Sequence, residues 1–240
     1  MKSQLVHAVL AIALGSGLVA ATSHAQDTNA YLYLVHAAPG RNFSQTANPE
    51  LPVDISINGM CVVKGITFGE IRGPYSAPAG NFNFIVSKAN SFTPCSNPAI
   101  FAAPSGLSAG NTYLGAIMVS GPEALTGNVY PLDVSSIAPG VARALVLNAT
   151  TQNLAATVTP MPTTDGSGGQ FSVPAGTLRE TGPPLGVYFT SVYIDQTDML
   201  QAGPIQIETL ARNAYIYVFA GSAANGTVQL IGPKVIHGVF

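Results

Sequence analysis

Val53, Ile55 and Ile57 alternate with Asp54 and Ser56. That period of two predicts a half-buried strand. Asn58-Gly59 follows it, and both residues tolerate the left-handed backbone that a two-residue hairpin turn requires. "AYLYLVHA", "CVVKGITF", "FNFIVSKA" and "TYLGAIMVSG" are short runs of β-branched and aromatic residues, and they predict the other strands of the first half. Helical periodicity is almost absent past residue 25. The runs are punctuated by 25 Gly and 18 Pro, the pattern of an all-β sandwich or barrel.

The second half echoes the first at a spacing of about 100–112 residues. "YLVHAAP" at 33–39 aligns with "LVLNATT" at 145–151, which sets His36 opposite Asn148. "APAGNFNFIVS" at 77–87 resembles "PPLGVYFTSVY" at 183–193. "LSAGNTYLGAIMVSG" at 107–121 resembles "LARNAYIYVFAGS" at 210–222. Three blocks in the same order predict two tandem antiparallel β-sandwich domains, 26–138 and 139–240, joined at Pro139-Gly140 in "DVSSIAPGV". In the third block Leu107 with Tyr113, and Leu210 with Tyr215, match a tyrosine corner, in which a strand-start phenol bonds back to upstream backbone. An ordinary half-buried strand tyrosine reads equally well.

The first 25 residues change the picture of location. Lys2, the apolar "LVHAVLAIALGSGLVA" and the small residues Ser23 and Ala25 make a signal peptide, residues 1–25, with cleavage before Gln26. Beyond it no run is long and apolar enough for a transmembrane helix. Removing the leader takes Lys2, leaving eight basic residues against eleven acidic ones. Charged residues make up only 8% of the chain, where about a quarter is usual. The basic residues are scattered singly, which argues against nucleic acid as a partner. Cys61 and Cys95 are the only cysteines. An even, minimal pair in an exported chain predicts one disulfide, and no CxxC spacing or nearby histidine favours a metal.

The blocks "YLYLVHAAPG", "LPVDISINGMCVVKGITFGEIRGPYSAPAGNFNFIV" and "LSAGNTYLGAIMV" resemble the domain-of-unknown-function family 4397. Its repeats run as strand-VHASP, VDVYVNG, an F-G…PY…PAG segment and an LxAGxxY strand. The match covers residues 31–121. The second half lacks the HA dipeptide, the Asp-x-x-x-Asn-Gly hairpin and the Pro-Tyr pair. The resemblance implies immunoglobulin-like repeats on exported bacterial proteins, and it implies no reaction.

Candidate chemistry is sparse. "GLSAG" at 106–110 fits G-x-S-x-G, with Ser108 as nucleophile, but Pro104 precedes it and a strand follows, whereas a nucleophile elbow joins a strand to a helix. His36 and His237 are the only histidines past the leader, too few for a three-histidine metal site. Asp165, Asp195 and Asp198, with aromatics such as Tyr188 and Tyr193, outline a calcium- or glycan-binding alternative, although "DGSGG" lacks the alternating acids of a calcium loop. Asp54 and Glu70 are the carboxylates for a glycosidase-like pair, with no geometry to support one. "NFS" at 42–44, "NAT" at 148–150 and "NGT" at 225–227 match glycosylation acceptors, a motif common by chance. The terminal Phe240 suggests an outer-membrane barrel, but Lys234 and Gly238 break the alternation of a final barrel strand.

These readings combine into one expectation. The chain is an exported, non-catalytic protein of two tandem immunoglobulin-like β-sandwiches, in the periplasm, at the cell surface or outside the cell. It binds no cofactor or metal, and its partner is a protein or another envelope component. Self-assembly through edge strands is included, with strand 30–37 and the run "TVQLIGPKVIHGVF" as the pairing edges. The alternative is a secreted hydrolase using Ser108 or an Asp/Glu pair.

Overall fold

A computed structural model describes residues 28–39, 51–121, 124–161, 168–183, 185–197, 199–222 and 227–236. The signal peptide expected at 1–25, Asp165, Asp198, His237, Phe240 and the acceptor motif at 42–44 lie outside the described residues.

The described chain is all-β. The first eight strands are β1 (Asn29–His36), β2 (Val53–Ile57), β3 (Met60–Ile66), β4 (Ile71–Pro78), β5 (Gly80–Lys88), β6 (Ala99–Leu107), β7 (Thr112–Gly121) and β8 (Ala124–Leu132). The next eight are β9 (Arg143–Asn148), β10 (Leu154–Pro160), β11 (Gly169–Val173), β12 (Leu178–Thr181), β13 (Gly186–Ile194), β14 (Leu200–Thr209), β15 (Ala214–Ala220) and β16 (Gln229–Ile236). They form four four-stranded sheets: sheet I, β3-β2-β5-β6; sheet II, β4-β1-β7-β8; sheet III, β12-β9-β15-β16; and sheet IV, β11-β10-β13-β14. Strand for strand, the order in III and IV is that of II and I. The hairpin expected at Asn58-Gly59 is present, with φ of 49° and 79° and Ile57 paired to Met60.

The sheets pack as a stack, I on II on III on IV. Alternation along single strands shows how. In β1, Leu32 and Leu34 enter the core against sheet I, while Tyr33 and Val35 enter the core against sheet III. In β15, Ile216 and Val218 face sheet II, while Tyr215, Tyr217 and Phe219 face sheet IV. Sheets II and III are thus covered on both faces, and every residue of β15 is buried. This explains why their strands read as continuous apolar runs instead of alternating ones. Tyr130 Oη, in β8, also donates to Gly176 O across the II–III contact at 2.8 Å. The connection from β8 to β9, which contains Pro139-Gly140, is braced by Arg143. Its guanidinium donates to Asp133 O and Ser135 O and pairs with Glu180 at 2.9 Å.

Two features differ from the sequence expectation. Sheets II and III are mixed, because β1 pairs with β7, and β9 with β15, in parallel. The strand 30–37 offers no free edge: β1 lies between β4 and β7 and is hydrogen-bonded on both sides. The run "TVQLIGPKVIHGVF" does supply an edge strand, β16, but Pro233 lies within it. Edge strands β4, β6, β8 and β14 also contain proline, which removes a ladder donor and obstructs edge-to-edge pairing. Gly232 has φ of +111°, and a Cβ there would lie 2.5 Å from Ile216 O, so this glycine is required where β16 kinks against the bulge in β15.

Candidate functional site

His36 ends β1 fully buried, and its ring closes the entrance to the next strand. Nε2 lies 2.9 Å from Leu51 O, and Ala38 N–H points at Nδ1 at 3.4 Å. With those partners the proton sits on Nε2. Asn148 does the same at the matching position. Its Nδ2 donates to Gln152 O at 2.7 Å and Val173 O at 2.8 Å, and its Oδ1 accepts from Thr150 N–H. His36 is therefore a structural tie that an amide can replace. Asn148, with no exposure and both amide hydrogens engaged, is closed to glycosylation as the fold stands.

Burial lowers the His36 pKa to about 4, although the Leu51 contact and the Glu70 charge favour the proton. An imidazole depressed in the folded state contributes stability above pH 6.5, and that stability is lost as pH falls toward 4. The span corresponds to about 3 kcal/mol. Urea titrations across this range are expected to show that loss for the native chain and a flatter profile for His36→Asn. At pH 7 the shorter amide is expected to cost only about 1–2 kcal/mol.

The two tyrosine corners are present. Tyr113 Oη accepts from Ser108 N–H at 2.9 Å, and Tyr215 Oη accepts from Leu210 N–H at 2.8 Å. The second is offset by one residue from the expected pairing: Leu210 occupies the place of Ser108 and is exposed, and Thr209 takes that of buried Leu107. Ser108 is thus a turn residue whose backbone serves the corner. Among the described residues the one histidine is His36, and its ring is committed elsewhere.

The carboxylates are dispersed. Glu70 accepts from Thr67 N–H at 2.8 Å and Arg72 Nη2 at 2.6 Å. Asp195 accepts from Ser172 Oγ and Gln196 N–H. Tyr188 belongs to no binding loop; it is buried on β13 between sheets III and IV, where burial raises its phenol pKa to about 12. Among the described residues no three His, Cys, Asp or Glu side chains gather at one point.

Asp54, a polar position of the half-buried strand β2 with no acidic counterpart in the second half, suits a surface or hairpin role in the sequence, and the structure gives it the opposite environment. It is 1% exposed, and its carboxylate accepts three backbone N–H groups: Gly65 on Oδ1 at 2.8 Å, and Asn90 at 3.0 Å and Cys95 at 2.8 Å on Oδ2. The last two belong to the loop 89–98 between β5 and β6. Cys95 is also bonded to Cys61 of β3, with Cα atoms 5.8 Å apart. Asn90 Oδ1 accepts from Phe92 and Thr93 N–H, Thr93 Oγ1 meets Ser96 Oγ at 2.8 Å, and Asn97 Nδ2 donates to Lys88 O. At the tip of this cross-braced loop stands Phe92, 94% exposed. A rigid loop holding a phenylalanine in water is the most distinctive surface feature of the described chain, and its rim is built of amide and hydroxyl groups. The cysteine pair marked this loop in the sequence; nothing in "ANSFTPCSNP" marked Phe92 as exposed.

No protein-family model and no curated protein matches the chain. Among solved structures it is similar to the Bacillus anthracis TIE protein at 8% identity and a TM-score of 0.27, over 82% of this chain and 34% of that one. It is also similar to a chain of Bacteroides uniformis ATCC 8492 described as a "putative cell adhesion protein", at 9% identity and a TM-score of 0.26, over 88% and 99% of the two chains. The chain thus spans about a third of the length of the TIE protein.

Proposed function

We propose that this chain is an exported, non-catalytic binding module of the bacterial envelope or its surface, with two tandem immunoglobulin-like halves akin to family 4397. Its partner is a protein, met through the loop 89–98 with Phe92 as anchor. The observation that carries this reading is the loop itself. An aromatic side chain left in water loses the hydrophobic stabilisation of burial. Holding it in one conformation removes the ordering cost that would otherwise oppose association. An exposed aromatic inside a polar rim is also the anatomy of an interface hot spot. The disulfide and the signal peptide expected at 1–25 suit the periplasm or the cell exterior. Assembly through strand 30–37 is not part of the proposal, since β1 is paired on both sides.

Binding of the purified mature protein to native envelope protein, measured by surface plasmon resonance, tests the reading. Phe92→Ser is expected to weaken binding at least thirtyfold while leaving the melting temperature unchanged. Equal binding by both proteins would remove Phe92 from the interface.

A further inference from the structure

The core between sheets III and IV is incomplete. A cavity of about 170 Å³ lies there, opening between β11 and the end of β12 beside Gly169, Thr181 and Gly182. Ala144, Val146, Tyr188, Thr190, Tyr217 and Phe219 form much of its wall, and no residue of the lining carries a charge. Register locates the same place between sheets I and II. Tyr217 pairs with Val146 as Gly115 pairs with Leu34, and Gly186 opens β13 as Gly80 opens β5. Ala144, Val146, Tyr188 and Thr190 therefore stand where the first half has Leu32, Leu34, Phe82 and Phe84. There Leu34 and Phe84 crowd over Gly115, so closely that a Cβ on it would lie 2.8 Å from the Leu34 side chain. The second half has traded leucine for alanine and phenylalanine for threonine, and it has turned a tyrosine into the space.

That tyrosine is unsatisfied. Tyr217 is 3% exposed, lines the cavity, and its Oη has no hydrogen-bond partner among the described residues. Tyr188 is the neighbouring phenol, close enough for charge and a weak side-chain interaction to favour the Tyr217 proton, but the two hydroxyls do not meet at hydrogen-bonding geometry. Burial and the neighbouring phenols push the Tyr217 pKa up, so it keeps its proton and is a donor with no acceptor at hydrogen-bonding geometry. A buried hydroxyl in that condition costs stability unless something accepts from it. An apolar cavity of roughly 150 Å³ is large enough for benzene.

We propose that this cavity is a binding site for a neutral, single-ring organic molecule bearing one hydrogen-bond-accepting oxygen, which takes the proton of Tyr217. The apolar wall holds the ring, and the absence of charge in the lining rejects ionised analogues, which would be desolvated without a counterion. The site is independent of the Phe92 loop.

The probes are p-cresol and toluene, titrated into the folded chain and followed by amide chemical shifts in two-dimensional NMR. p-Cresol is expected to bind with shifts confined to the strands around Tyr217, about tenfold more tightly than toluene. Tyr217→Phe is expected to erase that preference while keeping toluene binding, and to melt no lower than the native chain. Thr190→Phe, which restores the bulk of the first half, is expected to abolish binding of both. The proposal is overturned if neither probe binds at millimolar concentration, if the two bind equally to the native chain, or if Tyr217→Phe retains the preference. An unchanged p-cresol affinity in a folded Thr190→Phe variant overturns it as well.

Discussion

Replacing Asp54 by alanine is expected to cost about 4 kcal/mol of unfolding free energy, measured by chemical denaturation at pH 7. The substitution strands three backbone donors around an almost inaccessible site: Gly65 N–H in β3 and Asn90 and Cys95 N–H in the loop 89–98. Each unsatisfied donor costs on the order of 1–3 kcal/mol, and partial hydration of the loop brings the sum below the maximum. Asp54→Asn is expected to be nearly as damaging. An amide has only one accepting oxygen, and its NH₂ group would face either Gly65 N–H or the pair from Asn90 and Cys95. A loss below 1 kcal/mol in the alanine variant would mean that the carboxylate does not brace the loop.

Removing the disulfide, by Cys61→Ser with Cys95→Ser, is expected to cost roughly 3–4 kcal/mol, because it frees a 34-residue separation in the unfolded chain. This cost and that of Asp54→Ala are not expected to add. Both devices hold Cys95, so with one removed the other still fixes the root of the loop, and with both removed the loop loses its register at once. Residues sharing one network couple in this way. A double-mutant cycle is expected to return a coupling of at least 1 kcal/mol, with the triple variant losing more than the sum. Strict additivity would show that the two devices brace separate structures.

The strands most legible in the sequence were those of the sheet interiors. "AYLYLVHA", "VDISI", "FNFIVSKA" and "TYLGAIMVSG" became β1, β2, β5 and β7, each paired on both sides. The edge strand β3 was legible too, as "CVVKGITF", whereas β4, β6 and β8 had no such signature because they are half exposed and broken by Pro74, Pro104 and Pro131. His36 and Asn148, set opposite each other in the sequence, each tie off a strand end through the side chain. The stacking of sheet II on sheet III also has a trace in the sequence. No charged or small polar residue interrupts Leu32, Tyr33, Leu34 and Val35, a pattern of burial on two faces, whereas a lone sandwich would leave one face polar.

The candidate site was the harder part, for a physical reason. In "VDISI" a polar residue between apolar ones ordinarily faces water, and alternation cannot distinguish that from a carboxylate folded inward onto backbone donors. Those donors come from Gly65, Asn90 and Cys95, none of which is predictable until the loop has closed. The same holds for Tyr217. Its strand neighbours announce a core, but the space beside it comes from Ala144 and Thr190 on other strands, and only register brings the three together.

The central claim is that the braced loop, with Phe92 at its tip, is the surface that meets a partner. Photo-crosslinking in living cells tests it most directly, with p-benzoylphenylalanine placed at position 92 in one strain and at position 210, also exposed but on another loop, in a second strain. The account predicts a discrete crosslinked species from position 92 and none from position 210, with the species lost when the two cysteines are replaced by serine. Crosslinks of equal yield from both positions, or none from position 92 in a protein that still binds the envelope, would contradict it.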